Sequence, residues 1–143
     1  MKRLVLIAGV VLVAAVANAA FNNFVIAMQR SKQKRTMADV RSVANAWEAR
    51  ATDFNTYVVA GKRGGVSYDE LNRALTPTYI RVLPRADAWG SPFQFTAGDT
   101  TFSVRALGRD HRAQLAQGAG ASTDFDRDIV FSNGEFFAYP EGT

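Results

Sequence analysis

At 143 residues, with a net charge of +4 and no cysteine, the chain has room for one domain and no disulfide, thiolate metal site or thiol nucleophile. The positive charge does not point to nucleic acid. Four basic residues crowd into the run QRSKQKR (residues 29–35), elsewhere the signs nearly balance, and no aromatic residues interleave with basic ones as in single-strand binders.

The chain opens with Lys2 and Arg3, followed by an apolar run over residues 4–17 and then Ala17-Asn18-Ala19. That pattern fits a secretory signal peptide cut after Ala19. The apolar character resumes, however, at Phe21, Phe24, Val25, Ile26 and Met28, and meets Arg30, Lys32, Lys34 and Arg35 only afterwards. The longer pattern is a single membrane helix with Lys2 and Arg3 cytoplasmic and the basic cluster at lipid headgroups.

No proline or glycine interrupts residues 24–53. Met37, Val40, Val43, Ala44, Trp47, Ala51 and Phe54 recur at helical spacing, opposite Arg35, Asp39, Arg41, Glu48 and Arg50. One helix over about residues 4–53 is predicted, roughly 75 Å at 1.5 Å per residue. Its first half is apolar all round and needs a bilayer or other copies of itself; its second half is amphipathic, with Trp47 packed under a sheet.

Residues 61–65 (GKRGG) read as a flexible loop, and Ser67-Tyr68-Asp69-Glu70 as a capping box opening a short helix that ends before Pro77. An extended connector follows over residues 79–84, with Trp89 plugging the chain before Pro92. PFQF then pairs with TFSVRAL across Ala97-Gly98-Asp99-Thr100, and DIVFS with EFFAYP across Asn133-Gly134, a type I′ turn signal. Residues 109–128, rich in glycine, alanine and aspartate, form a long loop. The fold class is α+β: a long N-terminal helix packed on a small antiparallel sheet. Residues 1–28 are the apolar helix half (anchor, filament core or signal peptide), and residues 29–143 the globular domain with the amphipathic half.

Three stretches resemble the type IV pilin-like proteins, and within them the major pseudopilin of type II secretion systems. FNNFVIAMQRSKQKRTMADVRSVANAWEARATDFNTY resembles the family's helix, DAWGSPFQF its entry into the first strand, and ALGRD…FDRDIVFSNG its C-terminal loop. The chain departs from the family pattern in carrying no short basic leader ending in glycine. With Asn22-Asn23-Phe24 laid on the family's Pro-Asn-Phe, Met1 falls at the mature start and Val5 at the place of the assembly glutamate. The run HRAQLAQGAGAST is also longer than the usual family loop.

The acidic loop is the candidate site. By spacing alone, Asp110, Asp124, Asp126 and Asp128 are solvated turn formers, because the pattern lacks the glycine and distal glutamate of an EF-hand. The resemblance implies calcium on Asp110, Asp126 and Asp128 with the Leu107 backbone carbonyl; Asp124, a hard oxygen ligand in the same loop, is an additional candidate from its chemistry alone. His111, the only histidine, reads as a loop residue, and neither a phosphate loop nor a dinucleotide motif is present, so no enzyme is expected. The expected function is a non-enzymatic filament subunit serving type II secretion. It would sit as a single-pass protein of the inner membrane, its C-terminal domain periplasmic or displayed on the filament. The implied partners are copies of itself, the inner membrane and other pseudopilin or secretion-system subunits, with no nucleic acid. The alternative is a soluble periplasmic binding module released after Ala19.

Overall fold

The computed structural model describes residues 2–114 and 118–142, with side chains described at Ile7 and from Gly9 onward. Met1, the expected mature start, and the side chain of Val5 lie outside the described residues, as does part of the HRAQLAQGAGAST run. The chain is α+β, and its first element is a 53-residue helix, α1 (Lys2–Phe54). It stops where Asn55 turns left-handed (φ 54), a conformation asparagine tolerates at a helix end. Two compact units divide the chain, Met1–Ser31 and Lys32–Thr143.

In the second unit the helix buries Thr36, Val40, Val43, Ala44 and Trp47 against a sheet. Six strands are present among the described residues: β1 (Gly64–Val66), β2 (Gln94–Ala97), β3 (Phe102–Ala106), β4 (Gly120–Ser122), β5 (Ile129–Ser132) and β6 (Glu135–Pro140). Their order is β1-β2-β3-β5-β6-β4, with every pair antiparallel except β4 with β6. Register places Val66 opposite Phe95, Phe95 opposite Val104 and Val104 opposite Phe131, so one row of buried side chains crosses four strands. Alternation along β2 and β3 sends the intervening residues to the other face. In the hairpin joining β5 to β6, Asn133 (φ 52) and Gly134 (φ 93) take the predicted positive φ, and the Asn133 amide oxygen accepts the Phe102 N–H at 3.1 Å.

Three details differ from the sequence expectation. Gly64 and Gly65, expected in a loop, start β1, because pairing with Ala97 and Thr96 carries Val66 into the core. Residues 120–122, expected in the long loop, form β4 on the edge of β6. Phe54, expected on the buried stripe, is exposed beneath the Arg50 guanidinium, 4.6 Å from the ring centroid.

The second helix, α2 (Tyr68–Leu75), begins with the expected capping box: the Ser67 hydroxyl accepts the Glu70 N–H, and Glu70 accepts the Ser67 N–H at 3.0 Å. Glu70 is also paired with the Lys62 ammonium. The Lys62 hydrogen bond, then those from the Ser67 backbone and hydroxyl, bring its carboxyl from an ordinary 4.5 down to about 2. Because the folded value is the lower one, this stabilisation is complete above 4.5 and disappears as pH falls toward 2. Carbon-detected NMR titration should place the Glu70 midpoint near 2, and Lys62→Ala should move it upward. An unmoved midpoint would show that Lys62 is not the main cause.

Candidate functional site

The acidic loop is built from two turns pressed together. Leaving β3, the chain passes Leu107 and turns at Gly108 (φ 74), so close to the second turn that a Cβ there would meet the carbonyl oxygens of Arg127, Asp126 and Phe125 at 2.8, 3.0 and 3.0 Å. The Arg109 N–H then donates to the Phe125 carbonyl at 2.9 Å. Only glycine permits both this φ and this approach.

The turns bring the expected residues into one region, but each carboxylate has its own protein partner. Asp110 accepts the Arg112 N–H at 3.0 Å, and Asp124 accepts the Asp126 N–H at 2.9 Å, both two-residue turns of the kind aspartate favours. Asp126 takes a two-pronged pair from Arg109, Nε at 2.6 Å and Nη2 at 2.8 Å, and these hydrogen bonds hold its carboxyl below the usual range. Asp128 is buried, with Oδ2 accepting Arg105 Nη1 at 3.0 Å and the Gln114 N–H at 2.9 Å. Burial pushes its carboxyl up, against the lowering effect of Gln114 and Arg105.

Among the described residues, no three histidine or acidic side chains stand together as a metal-holding group. Arg109 engages both carboxylate oxygens of Asp126, whereas Arg105 and the Gln114 N–H both engage Oδ2 of Asp128. The carboxylates are arranged here in arginine pairs and backbone turns.

A second polar node sits at the DAWGSP connector. Asp87 is buried, and its Oδ1 accepts the Trp89 and Ser91 N–H groups at 3.0 and 2.9 Å, while its own N–H donates to the Ser91 carbonyl at 2.8 Å. The buried Thr36 hydroxyl of α1 accepts the Ala88 N–H at 3.1 Å. The Ser91 hydroxyl meets His111 Nδ1 at 2.5 Å, so the lone histidine ties the acidic loop to this connector. Trp89, expected as a plug, is half-buried within the connector.

The third candidate surface is the first unit of the chain. Ile7, Val10, Val11, Leu12, Val13, Val16, Phe21, Phe24, Val25, Ile26 and Met28 are all exposed. This apolar helix contains an 18-residue window of mean hydropathy 2.0 with none of it buried, long and apolar enough to cross a membrane; a signal sequence meets the same test.

The arginine partners, the Thr36 and Ser91 hydroxyls and the role of His111 were missed from the sequence. A signal existed for the arginines: Arg105 and Arg109 flank one turn and Asp126 and Asp128 the other, so two short segments of opposite charge face each other. None existed for Ser91 and His111, which lie 20 residues apart. The chain gives no match to any protein-family model, curated protein or solved structure.

Proposed function

We propose that the protein is a structural subunit of a pilus-like or pseudopilus filament of the type II secretion kind. Its apolar helix holds it in the inner membrane as a single pass, and assembly moves that helix from lipid into contact with other copies. The observation that carries the proposal is the contrast along one helix. At Ile7 and from Val10 to Met28 the apolar side chains are exposed, whereas from Thr36 to Trp47 one face is buried by the domain's own sheet. The second half is satisfied within the chain. The first half leaves a large apolar surface that water does not tolerate. The three sequence stretches that resemble pseudopilins supply the choice of system. In this reading the acidic loop is a stiff surface of the displayed domain, closed by Arg105 and Arg109.

The test is expression in a cell carrying a secretion system, followed by separation of membrane and soluble fractions and intact-mass and N-terminal analysis of each. The expected result is a membrane-bound product that retains residues 4–28 and yields thin filaments on overexpression. A soluble product starting at Ala20 would overturn the proposal and favour a periplasmic module. In that product, Phe21, Phe24, Val25, Ile26 and Met28 would need another cover.

A further inference from the structure

Charge is divided unevenly along the chain. Six of the 17 basic residues and none of the 13 acidic ones precede residue 36, so residues 36–143 carry eleven basic against thirteen acidic side chains. Four of those six, Arg30, Lys32, Lys34 and Arg35, lie within six consecutive positions of α1. Lys34 and Arg35 are exposed. Arg35 reaches Asp39 only at 3.9 Å, with its own side chain 77 % exposed, and so remains nearly uncompensated.

At the C-terminal end of α1 lies a cleft of about 360 Å³ between the last turns of the helix and the Asp99–Thr100 turn, lined by Glu48, Thr52, Asn55 and Tyr57 among others. The Glu48 carboxylate makes no hydrogen bond or ion pair among the described residues. Its charge is felt in the cleft: burial and then Glu48 raise the Tyr57 phenol above its ordinary value. Asp99, by contrast, is matched by Arg63, whose Nε lies 3.0 Å from both carboxylate oxygens. Arg50 is held on the Val58 carbonyl and over the Phe54 ring. The last turn of α1 carries no basic side chain, so the partial negative charge of the helix end adds to that of Glu48.

Thirteen positions of one helix separate Arg35 from Glu48, about 20 Å of rise. A copy therefore cannot place its own basic segment in its own cleft, and the two surfaces complement each other only between copies. We propose that this cleft receives the basic segment, residues 30–35, of a second copy, with Glu48 pairing Lys34 or Arg35. Such a contact is head-to-tail and does not close on itself, so it propagates. It rests on the filament reading, and it names what the basic segment exchanges for lipid headgroups when the helix leaves the bilayer.

The natural chain has no cysteine, so engineered pairs report without background. Ser31, exposed among the basic residues, and Thr52, exposed on the cleft, are replaced singly in two differently tagged full-length copies, S31C and T52C. These are co-expressed and mildly oxidised in membranes. The mixed 31–52 disulfide should dominate over both symmetrical ones. Glu48→Arg should lower it about fivefold, as expected for losing an exposed ion pair, and Lys34→Glu with Arg35→Glu on the other copy should restore it. Rescue by charge exchange excludes misfolding as the cause of the loss. A mixed disulfide no more abundant than the symmetrical ones, or one insensitive to Glu48→Arg, would overturn the proposal. If filaments form while the crosslink ignores Glu48, this interface falls and the filament reading stands. A Glu48-dependent crosslink in membranes without filaments would keep the interface and remove the filament.

Discussion

Trp47→Ala is expected to remove about 3–5 kcal/mol of unfolding free energy, a large part of the ~5–15 kcal/mol that holds a typical domain. The indole is fully buried at the centre of the sheet-facing stripe. Its ring stands edge-on to Phe95 at 6.4 Å and tilted to Phe102 at 5.2 Å, and Phe102 in turn stacks on Tyr57 at 4.6 Å. Truncation therefore leaves a cavity beside three aromatic rings that cannot all collapse into it. It also leaves the Tyr57 carbonyl without the indole N–H that now reaches it at 3.0 Å. Trp47→Phe separates the two terms, keeping most of the ring area and losing the hydrogen bond, at about 1–2 kcal/mol. Chemical unfolding of the full chain in detergent, followed by near-UV circular dichroism, measures both. A loss under about 1 kcal/mol for the alanine variant would mean that the helix does not depend on this residue for its seat on the sheet. If the proposed membrane anchoring holds, retention should be unchanged, because Ile7 and the exposed apolar residues from Val10 to Met28 take no part in that core.

Gly108→Ala should cost about 3 kcal/mol or more through two separate causes. The first is a left-handed backbone, φ 74, which an L side chain resists by ~1–2 kcal/mol. The second is steric: three backbone carbonyls within 3.0 Å of the new methyl cannot rotate away as a side chain would. The two turns must separate, and with them go the Arg109 N–H bond to Phe125 and the geometry of the Arg109–Asp126 pair. Gly90→Ala is the matched control, since Gly90 also has a positive φ (97) but nothing within 4 Å of its Cβ position. The control should show the backbone strain alone. Hydrogen exchange adds a local reading: the Arg109 amide should lose protection in Gly108→Ala and keep it in Gly90→Ala. Equal losses of stability in the two variants would mean that the close approach of the turns is not what holds this loop.

The elements predicted from sequence are those whose evidence lies within a few residues. The stripe of Val40, Val43, Ala44 and Trp47, the Ser67–Glu70 capping box, and the Asn133-Gly134 turn each use contacts between near neighbours, so helical spacing or turn chemistry betrays them. The elements that were missed have no such local mark. The glycine-rich strands β1 and β4 have little strand propensity, and they form because β2 and β6 offer them edges to pair with. The acidic loop was legible as a cluster of aspartates, but not as a set of arginine pairs. Asp128 meets Arg105 across 23 positions and Asp126 meets Arg109 across 17.

The sequence by itself determined the long helix, its change from apolar all round to one-faced, the two hairpins and the α+β class, because each follows from the period and turn chemistry of adjacent residues. Only the tertiary structure decided which charges neutralise one another. It left Glu48, near the end of α1, without an ion pair among the described residues and matched Asp99, Asp126 and Asp128 with arginines. Ion pairing depends on distances of a few ångströms between side chains far apart in the chain, and strand register, which sets those distances, exists only once the sheet has closed.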